Sequence, residues 1–175
     1  WKTASDMMSR IMKKLSLICI CVFVSSFCYS AEITTYYFIR HAEKVRIDNT
    51  DNDPKLNHNG LIRADNWRDI FSNVPFDAVY STDFKRTQLT AKPTADSKHL
   101  PILLYHPNDL YSASFQQETQ GKTTLVVGHS NTTNLFVNKI LGIRKYPQIN
   151  DSNNSNLYIV TIIAGEISSI LLTIQ

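Results

Sequence analysis

Three stretches of this chain carry residue types that could do chemistry together. The apolar run Tyr36-Tyr37-Phe38-Ile39 ends in Arg40-His41-Ala42-Glu43-Lys44, and Thr124-Leu125-Val126-Val127-Gly128 ends in His129-Ser130-Asn131. Between them, Ser81-Thr82-Asp83-Phe84-Lys85-Arg86 adds a second arginine. Arg40 is a permanent cation whose planar donor fork suits phosphate or carboxylate. His41 alone leaves three roles open: nucleophile, proton carrier or metal ligand. Two histidines and two arginines around one pocket narrow this to the handling of a tetrahedral oxyanion. The arginines would hold its oxygens. A neutral histidine would attack phosphorus to give a phosphohistidine. A cationic second histidine would stabilise charge developing on the equatorial oxygens.

Those residues must be delivered by strand ends. An apolar, β-branched and aromatic run that stops at charged residues reads as a buried strand reaching a sheet edge. Ile33–Arg40, Asp77–Ser81, Leu100–Tyr105 and 123–128 read as strands. They alternate with helical spacing at 61–71, Phe84–Lys98, about 110–120 and Asn131–Leu141. Leu157–Ile163 and Ile167–Ile174 around Ala164-Gly165-Glu166 read as a closing hairpin. Thr82-Asp83 is the expected cap of the second helix, and Pro93 is expected to kink or interrupt it. Residues Glu43–Asn59 form a polar surface loop containing His58, which is expected to be solvated. The order implies a single α/β domain, a three-layer α/β/α sandwich around a mostly parallel sheet. Helix starts after Ser81 and Ser130 would add backbone N–H donors for an anion.

The N-terminus reads as a separate, removable segment. Lys13-Lys14 precedes the apolar run Leu15–Val24, followed by small or polar residues up to Ser30. This is the pattern of a secretory signal peptide over residues 1–30, leaving 31–175 as the mature domain. The run is shorter than the ~20 residues a membrane-spanning helix needs, so no lasting membrane insertion is expected. Trp1 stands first, and Met7, Met8 and Met12 are candidate starts. The net charge of +3 resides in this segment, and the rest of the chain is neutral. Nucleic acid is therefore not an expected partner. All three cysteines, Cys19, Cys21 and Cys28, lie in the leader as well. The mature chain has no disulfide, thiolate metal site or cysteine nucleophile to offer. A bacterial periplasmic location is the expectation.

With these residues in hand, the chain resembles the histidine phosphatase superfamily, the phosphoglycerate mutase-like proteins. The resemblance rests on Arg40-His41-Ala42-Glu43-Lys44, Leu56-Asn57-His58-Asn59-Gly60, the stretch from Tyr80 to Ala91 around Arg86, and Val126-Val127-Gly128-His129-Ser130-Asn131. It implies that His41 is the phosphorylated nucleophile and that Arg40, Arg86 and His129 form the phosphate pocket, with Ser130 and Asn131 beside it. It implies no metal and no organic cofactor. The expected activity is hydrolysis of a small phosphorylated substrate. Many relatives protonate the leaving oxygen with a carboxylic acid that follows the second arginine. Asp109 is the candidate here, and it would serve equally as a helix N-cap. Glu43 is its rival, with orienting a loop or pairing with Lys44 as its other roles. If neither acts, a good leaving group such as a phosphohistidine or acyl phosphate needs no strong acid. Two further readings stay open: a phospho-ligand binding module without turnover, and a phosphohistidine-protein phosphatase.

Overall fold

Tyr36 and Phe38 face one side of strand β1 (Ile33–Arg40), while Tyr37 and Ile39 face the other, and each pair meets its own helical layer. The computed structural model describes residues 3–10, 12, 32–47 and 50–174. The chain divides into two units, Trp1–Ala31 and Glu32–Gln175. In the first, residues 3–10 are helical, while the expected apolar run, the cysteines and the cleavage site lie outside the described residues. Among the described residues no helix is long and apolar enough to cross a membrane.

The second unit holds the sheet. After β1 come helix α1 (His58–Ile70), β2 (Ala78–Ser81), α2 (Lys85–Ser97) and β3 (Ile102–Leu104). Then follow α3 (Ala113–Thr119), β4 (Thr123–Gly128), α4 (Thr133–Leu141), β5 (Asn156–Ile163) and β6 (Glu166–Thr173). The strand order is β3-β2-β4-β1-β5-β6. The β3, β2, β4 and β1 neighbours pair in parallel, and β5 runs antiparallel to both β1 and β6. Helices α1 and α2 cover one face through Trp67, Phe71, Ala91 and Ala95. Helices α3 and α4 cover the other through Phe115, Phe136, Val137 and Ile140. This is the expected three-layer sandwich. Strands β2 and β4 are buried almost throughout, which is why they read as continuous apolar runs without alternation.

Several local expectations change. Phe84 is the N-cap of α2 and makes no side-chain cap bond. Thr82 and Asp83 are otherwise engaged, Thr82 by His129 and Asp83 by the amide of Gln88. The α2 helix runs without interruption through Pro93. Thr90, Ala91, Thr94 and Ala95 on either side of that proline are buried, so packing holds both halves in place despite the lost hydrogen bond. Helix α3 is shorter than expected and starts after Ser112, whose hydroxyl accepts from the Phe115 N–H. His58 opens α1 and is not part of the loop, although it is exposed as expected. The hairpin turn at Ala164-Gly165 has φ of 50° and 87°, the left-handed pair that two-residue turns require. The β6 edge is shielded at its middle by Lys145, whose Nζ donates to the carbonyl oxygen of Ser169 at 3.1 Å.

Candidate active site

The parallel strands end level with one another. Arg40 lies opposite Gly128 and Ser81 opposite Val127, so His41 and His129 emerge side by side at the carboxyl edge of the sheet. Their ring centroids are 5.6 Å apart. A cavity of about 280 Å³ opens there, lined by Arg40, His41, Lys44, Phe84, Arg86, Pro107, Asn108, His129–Thr132 and Asp151. Position and lining agree with the general rule that open α/β sheets bind ligands beyond the carboxyl ends of their strands.

His41 is 3% exposed. Its Nδ1 lies 2.7 Å from the carbonyl oxygen of Ala42. A carbonyl can only accept, so Nδ1 carries the proton and Nε2 keeps its lone pair. Burial pushes the imidazole pKa down to about 3, and Arg40, His129 and Arg86 add to this against the opposing bond to Ala42. The ring is therefore neutral at physiological pH. The backbone around it is pinned, with its N–H on the Gly128 oxygen at 2.9 Å and its own oxygen taking the Asn154 amide at 2.7 Å.

His129 is held differently. Its Nε2 lies 2.8 Å from the Thr82 hydroxyl, which is 2.9 Å from the Thr87 hydroxyl. Burial, followed by Arg86, Arg40 and Lys44, lowers its pKa to about 4. In the unliganded protein the second histidine is thus neutral, contrary to the cation anticipated from the residues alone. The reason is its burial, added to by three positive groups that share its pocket.

The two arginines also differ. Arg40 is 1% exposed. Its fork is already occupied: Nη1 points at the carbonyl oxygens of Asn150, Asp151 and Asn153 at 3.0, 2.8 and 3.0 Å. Nη2 donates to Asp151 Oδ1 at 2.6 Å. Arg86 stacks over the Phe84 ring, 4.5 Å from its centroid, and Phe84 in turn meets the edge of His129 at 5.0 Å. Phe84 is a wedge that spaces the guanidinium from the imidazole. Asp53 Oδ1 accepts from the Lys85 N–H at 2.9 Å and lies 3.4 Å from Arg86 Nη1. The anion at the start of α2 is therefore one of the protein's own carboxylates. Among the described residues, the Nε of both arginines is buried without a partner.

Neither expected proton donor lines the cavity. Glu43 turns to α1, where Arg63 Nε donates to its two oxygens at 2.8 and 3.0 Å. Gly60 lets α1 come this close: a Cβ there would sit 2.1 Å from the backbone oxygen of Glu43. Asn57 caps α1 by accepting from the Gly60 N–H at 2.9 Å, so the 56–60 motif acts as a brace for the Arg-His segment. Asp109 belongs to a turn closed by its N–H on the His106 oxygen at 3.0 Å. It faces a separate recess with Tyr80, His106 and Glu118. Ser130 and Asn131 do line the cavity. The N–H groups of Thr132 and Thr133 at the start of α4 return to the His129 oxygen and do not face a ligand. Sequence reasoning missed Asp151, Phe84 and the Thr82 contact. Asp151 stands in a polar connection with no motif of its own. Phe84 and Thr82 were visible only as neighbours of Arg86.

A family model described as histidine phosphatase superfamily (branch 1) matches residues 36–106. No curated protein matches the chain in sequence. Among solved structures, the protein histidine phosphatase SixA complexed with tungstate aligns with TM-score 0.62 at 17% identity, covering 79% of this chain and 96% of that one. The alpha-ribazole phosphatase from Shigella flexneri aligns with TM-score 0.62 at 15% identity, covering 79% and 96%. Phosphoglycerate mutase from Bacillus anthracis aligns with TM-score 0.63 at 13% identity, covering 81% and 93%. The fold is phosphoglycerate mutase-like. Over residues 36–106 the chain is similar to the histidine phosphatase superfamily.

Proposed function

We propose that this chain is an exported phosphatase that hydrolyses a phosphomonoester or a similar small phosphorylated substrate through a phosphohistidine on His41, without a metal. The observation that carries the reading is the bond from His41 Nδ1 to the Ala42 oxygen. It presents a neutral imidazole with a free Nε2 lone pair to a cavity ringed by cations. The phosphoryl group enters between Arg40, Arg86 and His129, with Ser130 and Asn131 beside it. It competes with the exposed Asp151 carboxylate for Arg40 Nη2. His41 Nε2 attacks phosphorus in line, and water then hydrolyses the phosphohistidine. Arriving negative charge raises the proton affinity of His129, so the second histidine becomes cationic only with substrate bound. Export rests on the residue pattern at 13–30, and N-terminal sequencing of the purified periplasmic protein tests it.

The direct test is release of phosphate from para-nitrophenyl phosphate in EDTA. Wild type is expected to be active and His41→Ala to lose at least about 10³-fold. Equal activity in both proteins would remove His41 from its role. A second reading, a phosphohistidine-protein phosphatase, is favoured by one observation. Among the described residues, the single carboxylate lining the cavity is Asp151. The bond from Arg46, followed by the Arg40 charge, holds its pKa down to about 2, which leaves it no proton to give.

A further inference from the structure

The missing proton donor has a candidate in the cavity wall. We propose that Lys44 supplies the proton to the leaving oxygen and recovers it from the attacking water. This rests on the phosphatase reading above.

Three features of the structure lead there. First, the cavity lining contains few groups with a transferable proton. Asp151 is ionised between two arginines, Glu43 is paired with Arg63, and Asp109 faces another recess. The guanidinium groups of Arg40 and Arg86 do not release protons in this role. Ser130, Asn131 and Asn108 are too weakly acidic to act. Second, Lys44 is placed for the task. It lies three residues after the nucleophile, is half-buried and lines the same cavity. Its backbone is fixed by a bridge to Leu56, and its carbonyl oxygen accepts from the Asn57 amide at 3.4 Å. The segment that carries it is thus braced against α1. Third, among the described residues its ammonium group is not engaged in an ion pair, and Glu43, the carboxylate next to it in sequence, is committed elsewhere. Burial, then the nearby Arg86 and Arg46, and more weakly Arg40, push the Lys44 pKa down against the opposing pull of Asp151. An ammonium with a lowered pKa is a better acid than a solvated one.

The His41 Nε2 lone pair forms the bond to phosphorus while the bond from phosphorus to the leaving oxygen breaks. The leaving oxygen takes that electron pair and a proton from Lys44 Nζ, departing as an alcohol and leaving a neutral amine. Water then adds its oxygen to phosphorus, and its proton passes to Lys44. The bond from phosphorus to Nε2 breaks, and its electron pair returns to His41. The ammonium is restored and inorganic phosphate leaves.

His129 is the rival donor, because it gains a proton when the phosphoryl group arrives. It touches the same cavity from the Thr82 side. The experiment must therefore separate charge from proton release and Lys44 from His129. Lys44→Arg keeps the positive charge but cannot give up a proton at working pH. Lys44→Met removes both. Rates are measured for wild type, both variants and His129→Gln on para-nitrophenyl, phenyl and alkyl phosphates, whose leaving oxygens differ widely in basicity. Inorganic phosphate binding and melting temperature report on folding and on the intact pocket.

If Lys44 is the donor, Lys44→Arg retains kcat/KM for para-nitrophenyl phosphate within a few-fold and loses about 10²-fold or more in kcat/KM on alkyl phosphates. The dependence of kcat/KM on leaving-group basicity is then much steeper than in wild type, for both lysine variants. A uniform loss of kcat/KM on all three substrates would reduce Lys44 to a binding charge and overturn the proposal. So would steepening in His129→Gln with none in the lysine variants. A wild type that turns over para-nitrophenyl phosphate but not alkyl phosphates also overturns it, and favours the phosphohistidine reading. Inactivity of wild type on every substrate would instead fail the phosphatase reading itself, together with everything that rests on it.

Discussion

The two histidines end neighbouring parallel strands, face the same cavity and are both neutral, yet they are bonded to different kinds of partner. His41 gives its Nδ1 proton to a backbone carbonyl, an acceptor that has no alternative role. His129 Nε2 meets the Thr82 hydroxyl, which can donate or accept, and Thr82 leans on Thr87, which can do the same. Thr87 has a choice of its own, since its hydroxyl also reaches the carbonyl oxygens of Thr82 and Phe84 at 3.0 and 2.9 Å. Rotating two hydroxyls therefore accommodates either tautomer of His129, or its cation. His41 is locked and His129 is adaptable. That is the division of labour the proposed chemistry needs. A nucleophile must present one lone pair in one direction, whereas an electrostatic partner must follow the charge as it arrives.

The sharpest way to break this comparison is to remove each ring in turn. His41→Ala loses the phosphoenzyme and at least about 10³-fold in rate. His129→Ala is expected to lose about 10²–10³-fold in kcat, the usual cost of deleting one preorganised donor to a transition state. It should still trap acid-labile phosphate on His41 in a rapid quench. Absence of that phosphoenzyme in His129→Ala would make the two rings equivalent and end the distinction.

Protonation offers a gentler probe. Both histidines have pKa values depressed from 6.5, to about 3 and about 4, so the unfolded chain binds more protons than the native one below pH 6.5. Their contribution is fully present above pH 6.5 and declines as pH falls towards the native values. Stability is expected to drop on the order of 2–4 kcal/mol between pH 7 and 5 from the two rings together. Melting temperature against pH checks this, and the double substitution His41→Asn with His129→Asn should flatten the slope. An unaltered slope would place the proton uptake elsewhere.

The smallest expected effect tests the adaptable contact alone. Thr82→Val keeps the shape and removes the hydroxyl, which should lower kcat about 3–10-fold, a loss of about 1 kcal/mol in one hydrogen bond. Para-nitrophenyl phosphate kinetics read it directly. Because Thr82 does not touch His41, the acid limb governed by the nucleophile should not move. A shift in that limb would mean that the rings titrate as one unit.

Much of this architecture is legible in the residues. Strand β1 is expected and observed over Ile33–Arg40, because an apolar run that stops at Arg-His has few other ways to satisfy its backbone and hide its side chains. The closing hairpin follows from two β-rich runs around Ala164-Gly165, whose conformation demands little else. The gathering of Arg40, His41, Arg86 and His129 follows from strand ends that point the same way. The expected kink at Pro93 does not appear, because burial of the flanking turns outweighs one lost bond.

What remained hidden depends on which polar partner wins when several compete. Glu43 has Lys44 beside it in sequence but bonds to Arg63, because Gly60 lets α1 approach closely. Asp53 occupies the start of α2, and Asp151 reaches Arg40 from a connection more than a hundred residues downstream. Hydrophobic periodicity specifies faces over a few residues and survives any reasonable packing. An ion pair depends on the final distance between side chains that no local pattern relates. The sequence by itself determined the layers, the sheet edge and the four residues at it. Only the tertiary structure decided which ring is locked and which carboxylates are already spent.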